Sequence, residues 1–400
     1  MSRCQAVIVA DDLTGALDAA APFAARGATT EVVIALEHLA SRLAAWQSAP
    51  PAVVAVNTQS RHLAPEAAAE RVASAVRRLA PLAPAVWFKK LDSTLRGAVV
   101  AECLAMRRGL GHPLLLAPAV PAQGRIVRNA AVWVDEAPLA DTAYGRDARS
   151  APPLGPLDRL FADRGAPLVR YRPGGGRRLP RGDCVADAES EADLACLYDA
   201  ALADGRPRLL AGAAGLATVV AQRGFGRLQA PPALPHGLRR HLFALGSRSP
   251  RAGEQLLRLR AADPAMVVAE ALGRGSAARG PVTVVVPGDA TVVGHDPERV
   301  ALAMAEQVAA AMAAWTSEKG LLFLTGGDIA MAVLQRLGVM SIAVQGEWAP
   351  GVALGWLDGE PERCVITKAG GFGDPELLAR LHQVLGRQPG PGTEARMASR

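Results

Sequence analysis

Short runs rich in valine, isoleucine and leucine alternate along this chain with alanine-, leucine- and arginine-rich stretches of helical period. That alternation restricts the chain to βα units and a largely parallel sheet, because parallel strands need a helical crossover between them. The clearest runs are AVIVADD, PAVVAVNT, AVWFKKLD, PLLLAPA and PRLLAGAA in the first half, and HLFALGS, MVVAEA, VTVVVPG, LLFLTGG and RCVITKAGG in the second. At 400 residues the chain exceeds what one hydrophobic core usually organises. The prolines and glycine of APPALPHGLRRH interrupt any regular element, so a linker is expected at 230–241 between domains at 1–229 and 242–386, with 387–400 a disordered tail. A second irregular region, 145–183, reads as a long loop or insertion, and its basic segment from Arg170 to Arg181 as solvated surface. The fold expected is α/β: two domains, each a mostly parallel sheet flanked by helices, with the ligand site in the cleft between them.

Composition excludes several classes. Half the residues are hydrophobic and a fifth charged, without the long apolar run of a membrane span, so no membrane partner is expected. The opening MSRCQAVIVA is too short and wrongly flanked for a signal peptide, which implies a cytoplasmic protein. The net charge of +6 is small and interspersed with acids, arguing against nucleic acid. The five cysteines are scattered without CxxC spacing and read as free buried thiols. Of 44 basic residues only Lys89, Lys90, Lys319 and Lys368 are lysines; where arginine is the default cation, a retained lysine hints that a compact ammonium is wanted.

Ligands of open α/β sheets bind beyond the carboxyl ends of the strands. The first run ends at Asp11 and Asp12 and enters a helix near Thr14 and Gly15. Such a pair can accept hydrogen bonds from substrate hydroxyls, take a proton or help to hold magnesium; a helix N-cap is the rival explanation, and it needs only one of the two. WFKKLDSTLRGAVVAE concentrates Lys89, Lys90, Asp92, Ser93, Thr94, Arg96 and Gly97 after another strand, suited to a carboxylate and hydroxyls. NTQSRHL, with Asn57, Ser60 and Arg61, and PAQGRIV, with Gln123, Gly124 and Arg125, repeat the theme. Together they describe a pocket for an acidic sugar.

Strand ends in the second half differ. LFALGSRSPRAGEQLL offers Gly246, Ser247 and Ser249; LLFLTGGDIAMAVLQRLG offers Thr325, Gly326, Gly327, Asp328 and Ile329; VITKAGGFGDPELLARL offers Lys368, Gly370, Gly371 and Gly373. Backbone amides in such loops approach phosphates closely, and three of them point to a nucleotide, although each alone is an ordinary βα turn. Neither GxxxxGK followed by Ser or Thr nor a GxGxxG after the first strand is present.

At these residues the chain resembles the four-carbon acid sugar kinase family, formerly a domain family of unknown function. ADDLTGALDAA, KKLDSTLRG, APAVPAQGR, LGSRSP, TGGDIA, GEWAPGV and TKAGGFGDPELL match its recurrent motifs in order, from about Val7 to Leu385. The resemblance implies an ATP-dependent kinase of threonate, erythronate or 3-oxo-tetronate, phosphorylating the terminal hydroxyl, with an N-terminal acid-sugar domain and a C-terminal nucleotide domain. It would place Asp11, Asp12, Asn57, Arg61 and the segment from Lys89 to Arg96 at the acceptor site, and Ser247, Gly326 to Ile329 and Gly370 on ATP. Three positions depart from the family pattern: Asn57 where an acid is common, Ile329 where a threonine is common, and Ala213 where a serine is. Asn57 bears on which acid is preferred.

The mechanism implied is in-line attack on the γ-phosphate, with Mg²⁺ bridging phosphate oxygens and Asp12 or Asp11 orienting or deprotonating the nucleophile. A homodimer is the default expectation. Two other readings are a nicotinamide-dependent hydroxy-acid dehydrogenase, opposed by the missing GxGxxG, and a non-catalytic nucleotide or acid sensor, opposed by the acidic pair.

Overall fold

The computed structural model describes residues 3–146, 151–174, 178–247, 249–273, 280–288, 296–315 and 319–386. The tail expected at 387–400 lies outside them. The chain forms two compact units, Met1–Gln229 and Ala230–Arg400.

In the first unit the strands are β1 (Ala6–Ala10), β2 (Thr30–Val33), β3 (Val53–Asn57), β4 (Val86–Lys90), β5 (Leu114–Ala117), β6 (Arg125–Arg128), β7 (Ala131–Val134), β8 (Ala137–Pro138), β9 (Val169–Tyr171), β10 (Cys184–Ala186) and β11 (Leu209–Gly212). The helices are α1 (Leu13–Ala24), α2 (Leu39–Ala45), α3 (Pro65–Leu79), α4 (Val99–Leu110), α5 (Leu157–Ala162), α6 (Glu191–Asp204) and α7 (Ala214–Phe225). The main sheet runs β2-β3-β1-β4-β11-β5-β10-β9, parallel throughout, and β6, β7 and β8 form a separate antiparallel sheet. Every residue of β1 and β3 is buried, as expected of strands covered on both faces. The region expected to be irregular at 145–183 instead contains α5 and the edge strand β9. Arg170 there pairs with Asp158.

The second unit contains β12 (Arg240–Leu245), β13 (Val267–Glu270), β14 (Val282–Val286), β15 (Gly320–Thr325), β16 (Ser341–Ala349), β17 (Val352–Leu357) and β18 (Arg363–Lys368), with helices α8 (Pro250–Ala262), α9 (Pro297–Ala313), α10 (Gly327–Arg336) and α11 (Leu377–Gly386). The order β13-β14-β12-β15-β18 is parallel, and β17 and β16 continue it antiparallel. Leu234 and Leu238, ahead of β12, are buried in the same core as Phe243, Phe323, Ile366 and Leu381. The apolar alternation therefore built what it implies: two α/β units with mostly parallel sheets.

Candidate active site

In the first unit β3, β1 and β4 are neighbours, so their carboxyl ends share one edge of the sheet. The loop after β3 is fastened to the chain leaving β1: Thr58 N donates to the Ala10 carbonyl at 2.8 Å, and Ser60 N to that of Asp11 at 3.0 Å. This seats the Arg61 guanidinium on the acidic pair. Arg61 donates from Nε to Asp11 Oδ2 at 2.7 Å, from Nη2 to Asp11 Oδ1 at 3.0 Å and from Nη1 to Asp12 Oδ2 at 2.6 Å. Its Nη2 also lies 3.8 Å from Asp92 Oδ1. Burial alone would raise the Asp11 and Asp92 carboxyls; Arg61, with Lys89 at Asp11 and Arg96 at Asp92, outweighs it and holds both below the ordinary range.

The two readings of the acidic pair separate by residue. Asp12 is the N-cap of α1, its Oδ1 accepting from Gly15 N at 2.8 Å and its Oδ2 from the Thr14 hydroxyl at 2.7 Å. Asp11 has no capping role and is almost wholly buried. Asp92 accepts from Arg96 Nε at 3.0 Å and Nη2 at 2.9 Å, and from the Thr94 hydroxyl. Gly97 brings the chain back over the cluster at φ +90°; a Cβ there would lie 3.3 Å from Asp11 Oδ2 and from the Arg61 carbonyl. Glycine is needed at that position on both counts.

The paired lysines divide. Lys89 is fully buried and bound to Glu102 at 2.8 Å, beneath the edge where the carboxylates gather; its ammonium also donates to the Lys90 carbonyl. Burial would lower the Lys89 ammonium, but Glu102 and Asp11 outweigh that and raise it. Lys90 points to the opposite face, donating to the Leu91 carbonyl at 2.9 Å, with Nζ 3.7 Å from Asp18 Oδ2. Asn57 is buried and donates to the Ile34 carbonyl at 2.9 Å while accepting from Gln59 N. An aspartate could not make that donation. Arg125, at the start of β6, donates to Ser93 Oγ and, at 3.3 Å, to Gln123 Oε1, and stacks over the Tyr144 ring. These bonds bring Ser93, Gln123 and Arg125 together.

In the second unit β12, β15 and β18 are adjacent and parallel, so their following loops also meet. Ser249 caps α8 and its hydroxyl donates to the Gly370 carbonyl at 2.9 Å; Ser247 Oγ accepts from Ser249 N at 3.2 Å. A Cβ on Gly370 would overlap Ser247 Oγ, and one on Gly246 would overlap Ile329, whose side chain is buried in this packing. Gly326, at φ +93°, opens α10 at Gly327, with Asp328 exposed in its first turn. Thr325 Oγ1 is buried without a hydrogen-bond partner among the described residues. Gly371 is exposed. Lys368 donates to the Ala369 carbonyl at 3.2 Å and that of Gly370 at 3.0 Å, and burial, with Arg251, pulls its ammonium down to about 8. Close backbone approach, a helix N-terminus and a buried cation are what polyphosphates require.

The family model for a sugar-binding N-terminal domain matches residues 6–220, and that for a nucleotide-binding C-terminal domain residues 242–378. A D-threonate kinase of Bordetella bronchiseptica is 32% identical over 94% of this chain and 96% of its own, and a 3-oxo-tetronate kinase of Methylobacterium radiotolerans 30% over 93% and 97%. The chain belongs to the four-carbon acid sugar kinase family. A crystal structure from Bordetella bronchiseptica, a domain-swapped dimer with bound citrate, is 27% identical over 96% of this chain and 98% of that one, with a TM-score of 0.51.

The four-carbon acid sugar kinase is thus a phosphotransferase with a nucleotide-binding unit, and the dehydrogenase and sensor readings give way to it. Sequence reasoning passed over residues that the kinase brings to the site. Asp18 lies within reach of Lys90, and Glu102 neutralises Lys89. For Asp18 the signal was available: it follows Thr14 and Gly15 by four and three residues, which sets all three on one face of α1.

Proposed function

We propose that this kinase transfers the γ-phosphoryl group of ATP to the terminal (4-) hydroxyl of a four-carbon sugar acid. D-threonate, the acid named for the Bordetella relative, is the first to test, beside D-erythronate and 3-oxo-tetronate. The observation that carries the reading is the cluster of Asp11, Asp12 and Asp92 around Arg61 at one strand edge of the sugar-binding unit. Rigid carboxylates there give a polyol fixed acceptors for its hydroxyls, and Arg96, Arg125 and Lys90 around them give its carboxylate a cationic rim. Asn57, Ser93 and Gln123 belong to the same acceptor site, Asn57 and Lys89 by setting the shape of its floor.

The nucleotide is assigned to Ser247, Ser249, Thr325, Gly326, Gly327, Asp328, Ile329, Gly370 and Gly371. Ile329 contributes packing and a backbone amide where a threonine is common. Among the described residues no group of three or more His, Cys, Asp or Glu could hold a metal ion. Mg²⁺ carried in on the phosphates asks the protein for one or two carboxylates, and Asp328 is the carboxylate in the glycine loop. Bound there, Mg²⁺ would neutralise charge on the transferring phosphoryl group. The terminal hydroxyl attacks the γ-phosphorus in line and ADP leaves, while Asp11 and Asp12, held by Arg61, orient the acceptor.

An ADP-release assay over D- and L-threonate, D- and L-erythronate and their 3-oxo analogues tests the proposal; no turnover with any of them overturns it. Asp12→Asn, which keeps an N-cap but loses the charge facing Arg61, is expected to reduce turnover far more than ATP affinity. A homodimer is part of the proposal and is checked by light scattering.

A further inference from the structure

We propose that the carboxylate of Asp18, in the second turn of α1, is the proton acceptor for the hydroxyl that this kinase phosphorylates. The inference rests on the function proposed above and assigns a role to a residue outside the acidic pair.

The first ground is how tightly each carboxylate is held by cations and donors. A general base must present an oxygen to the reacting hydroxyl, and its proton affinity must not be suppressed by tight cationic partners. Asp11 gives both oxygens to Arg61. Asp12 gives Oδ1 to Gly15 N and Oδ2 to both Thr14 and Arg61. Asp92 is bound through both oxygens by Arg96, with Thr94 on Oδ2. These carboxylates act as anchors, and two of them are held below the ordinary range.

Asp18 differs on each point. Its partner among the described residues is Lys90, with Nζ 3.7 Å away, a distance that leaves the ion pair loose. Its side chain is about a quarter exposed, at 24%, so a ligand can reach it. It faces the Asp12 turn, since Lys90 Nζ lies 3.5 Å from where a Cβ of Gly15 would be. Burial raises its carboxyl, with Lys90 and Arg125 opposing and Asp12 assisting, and the group ends above its ordinary value. The other elements packed on α1 have their charges occupied: Arg223 of α7 pairs with Asp199, and Glu31 of β2 with Arg42. The charged groups acting on Asp18 are therefore Lys90, Arg125 and Asp12.

In the step inferred, the O–H bond of the terminal hydroxyl breaks and its proton moves to an Asp18 oxygen. The hydroxyl oxygen forms a bond to the γ-phosphorus, and the bond from that phosphorus to the bridging oxygen breaks, its electron pair leaving on ADP. Asp18 then returns its proton to solvent. Lys90, beside it, stabilises the ionised form before the reaction.

Asp18→Asn, nearly equal in size, is the variant to measure, with ADP release followed across pH 5 to 9 on the panel of acids and ATP affinity determined separately. The expected result is a kcat lower by about 100- to 10,000-fold, the range typical of a lost general base, with KM and ATP affinity within about threefold. In the wild type kcat/KM should fall as pH drops through the Asp18 titration; in the variant that limb should be absent. Lys90→Met should move the limb to higher pH, because removing the cation makes Asp18 harder to ionise. Should Asp18→Asn not fold, Asp18→Ser carries the same expectations. A working wild type with an Asp18 variant of equal kcat, or one that keeps the acid limb, overturns this inference alone. A wild type that phosphorylates none of the acids overturns the proposed function and this inference with it.

Discussion

The two units meet anionic ligands with opposite means. In the sugar-binding unit, charge is carried by side chains locked to one another: Lys89 with Glu102, Asp11 and Asp12 with Arg61, Asp92 with Arg96. In the nucleotide-binding unit the corresponding edge is made of backbone, with Gly326 and Gly370 admitting close approach, hydroxyls from Ser247 and Ser249, and one buried ammonium, Lys368. A small acid with several hydroxyls has to be distinguished by where its groups lie, which fixed side chains do well. A polyphosphate repeats one chemical group, and rows of amides suffice for it.

The largest expected effect tests whether the side-chain charges depend on each other. Glu102→Ala leaves Lys89 buried and unpaired and should destabilise the protein by about 3–5 kcal/mol in urea denaturation. Glu306→Ala, which breaks the exposed pair with Arg336 in the other unit, should leave stability unchanged within error. Equal losses would remove the contrast. Next comes Gly370→Ala, whose Cβ overlaps Ser247. An overpacking cost of about 1–3 kcal/mol predicts an ATP Kd raised roughly 5- to 150-fold in a calorimetric titration, with the KM for the acid unaffected. Gly97→Ala is the mirror experiment: the positive φ costs about 1–2 kcal/mol, and the KM for the acid should rise while ATP affinity holds.

The smallest effect sharpens the exception. Lys368 is the one buried lysine of the nucleotide-binding unit's described residues, and its ammonium is lowered to about 8. It is charged below that pH and loses its proton above it, so ATP affinity should weaken as pH rises through about 8, by at most about tenfold per unit. Lys368→Met should abolish that dependence; an unchanged profile would show that the ammonium serves only the Ala369 and Gly370 carbonyls.

The long parallel strands were legible because Val- and Ile-rich runs such as AVIVA and VVAVN are buried on both faces and read as continuous. Short strands such as β9 and β10 were not, since three residues carry no period. Nor was the hairpin of β16 and β17, whose SIAVQGEWA mixes polar residues and glycine with apolar ones. In the site, the strand ends were readable but the partners were not. Because successive strand residues face opposite sides, the adjacency of Lys89 and Lys90 within one strand is enough to send them to different faces. That Lys89 meets Glu102, or that Asn57 meets the Ile34 carbonyl, depends on how α4 and the chain after β2 pack on the sheet. Ala213 shows the reverse case: α7 has no side-chain N-cap there, as the absence of a hydroxyl at that position implies.

Arg61 touches carboxylates that arrive from two different strand ends. In evolutionary terms it is a hub, because any replacement strands three acids at once and no second substitution nearby can compensate for all of them. A descendant of this enzyme that came to favour a different acid would therefore keep the hub. On the acceptor site proposed above, it would change at the rim, at Gln123, Arg125 or Arg96, where a single altered side chain can be tried without dismantling the floor beneath it.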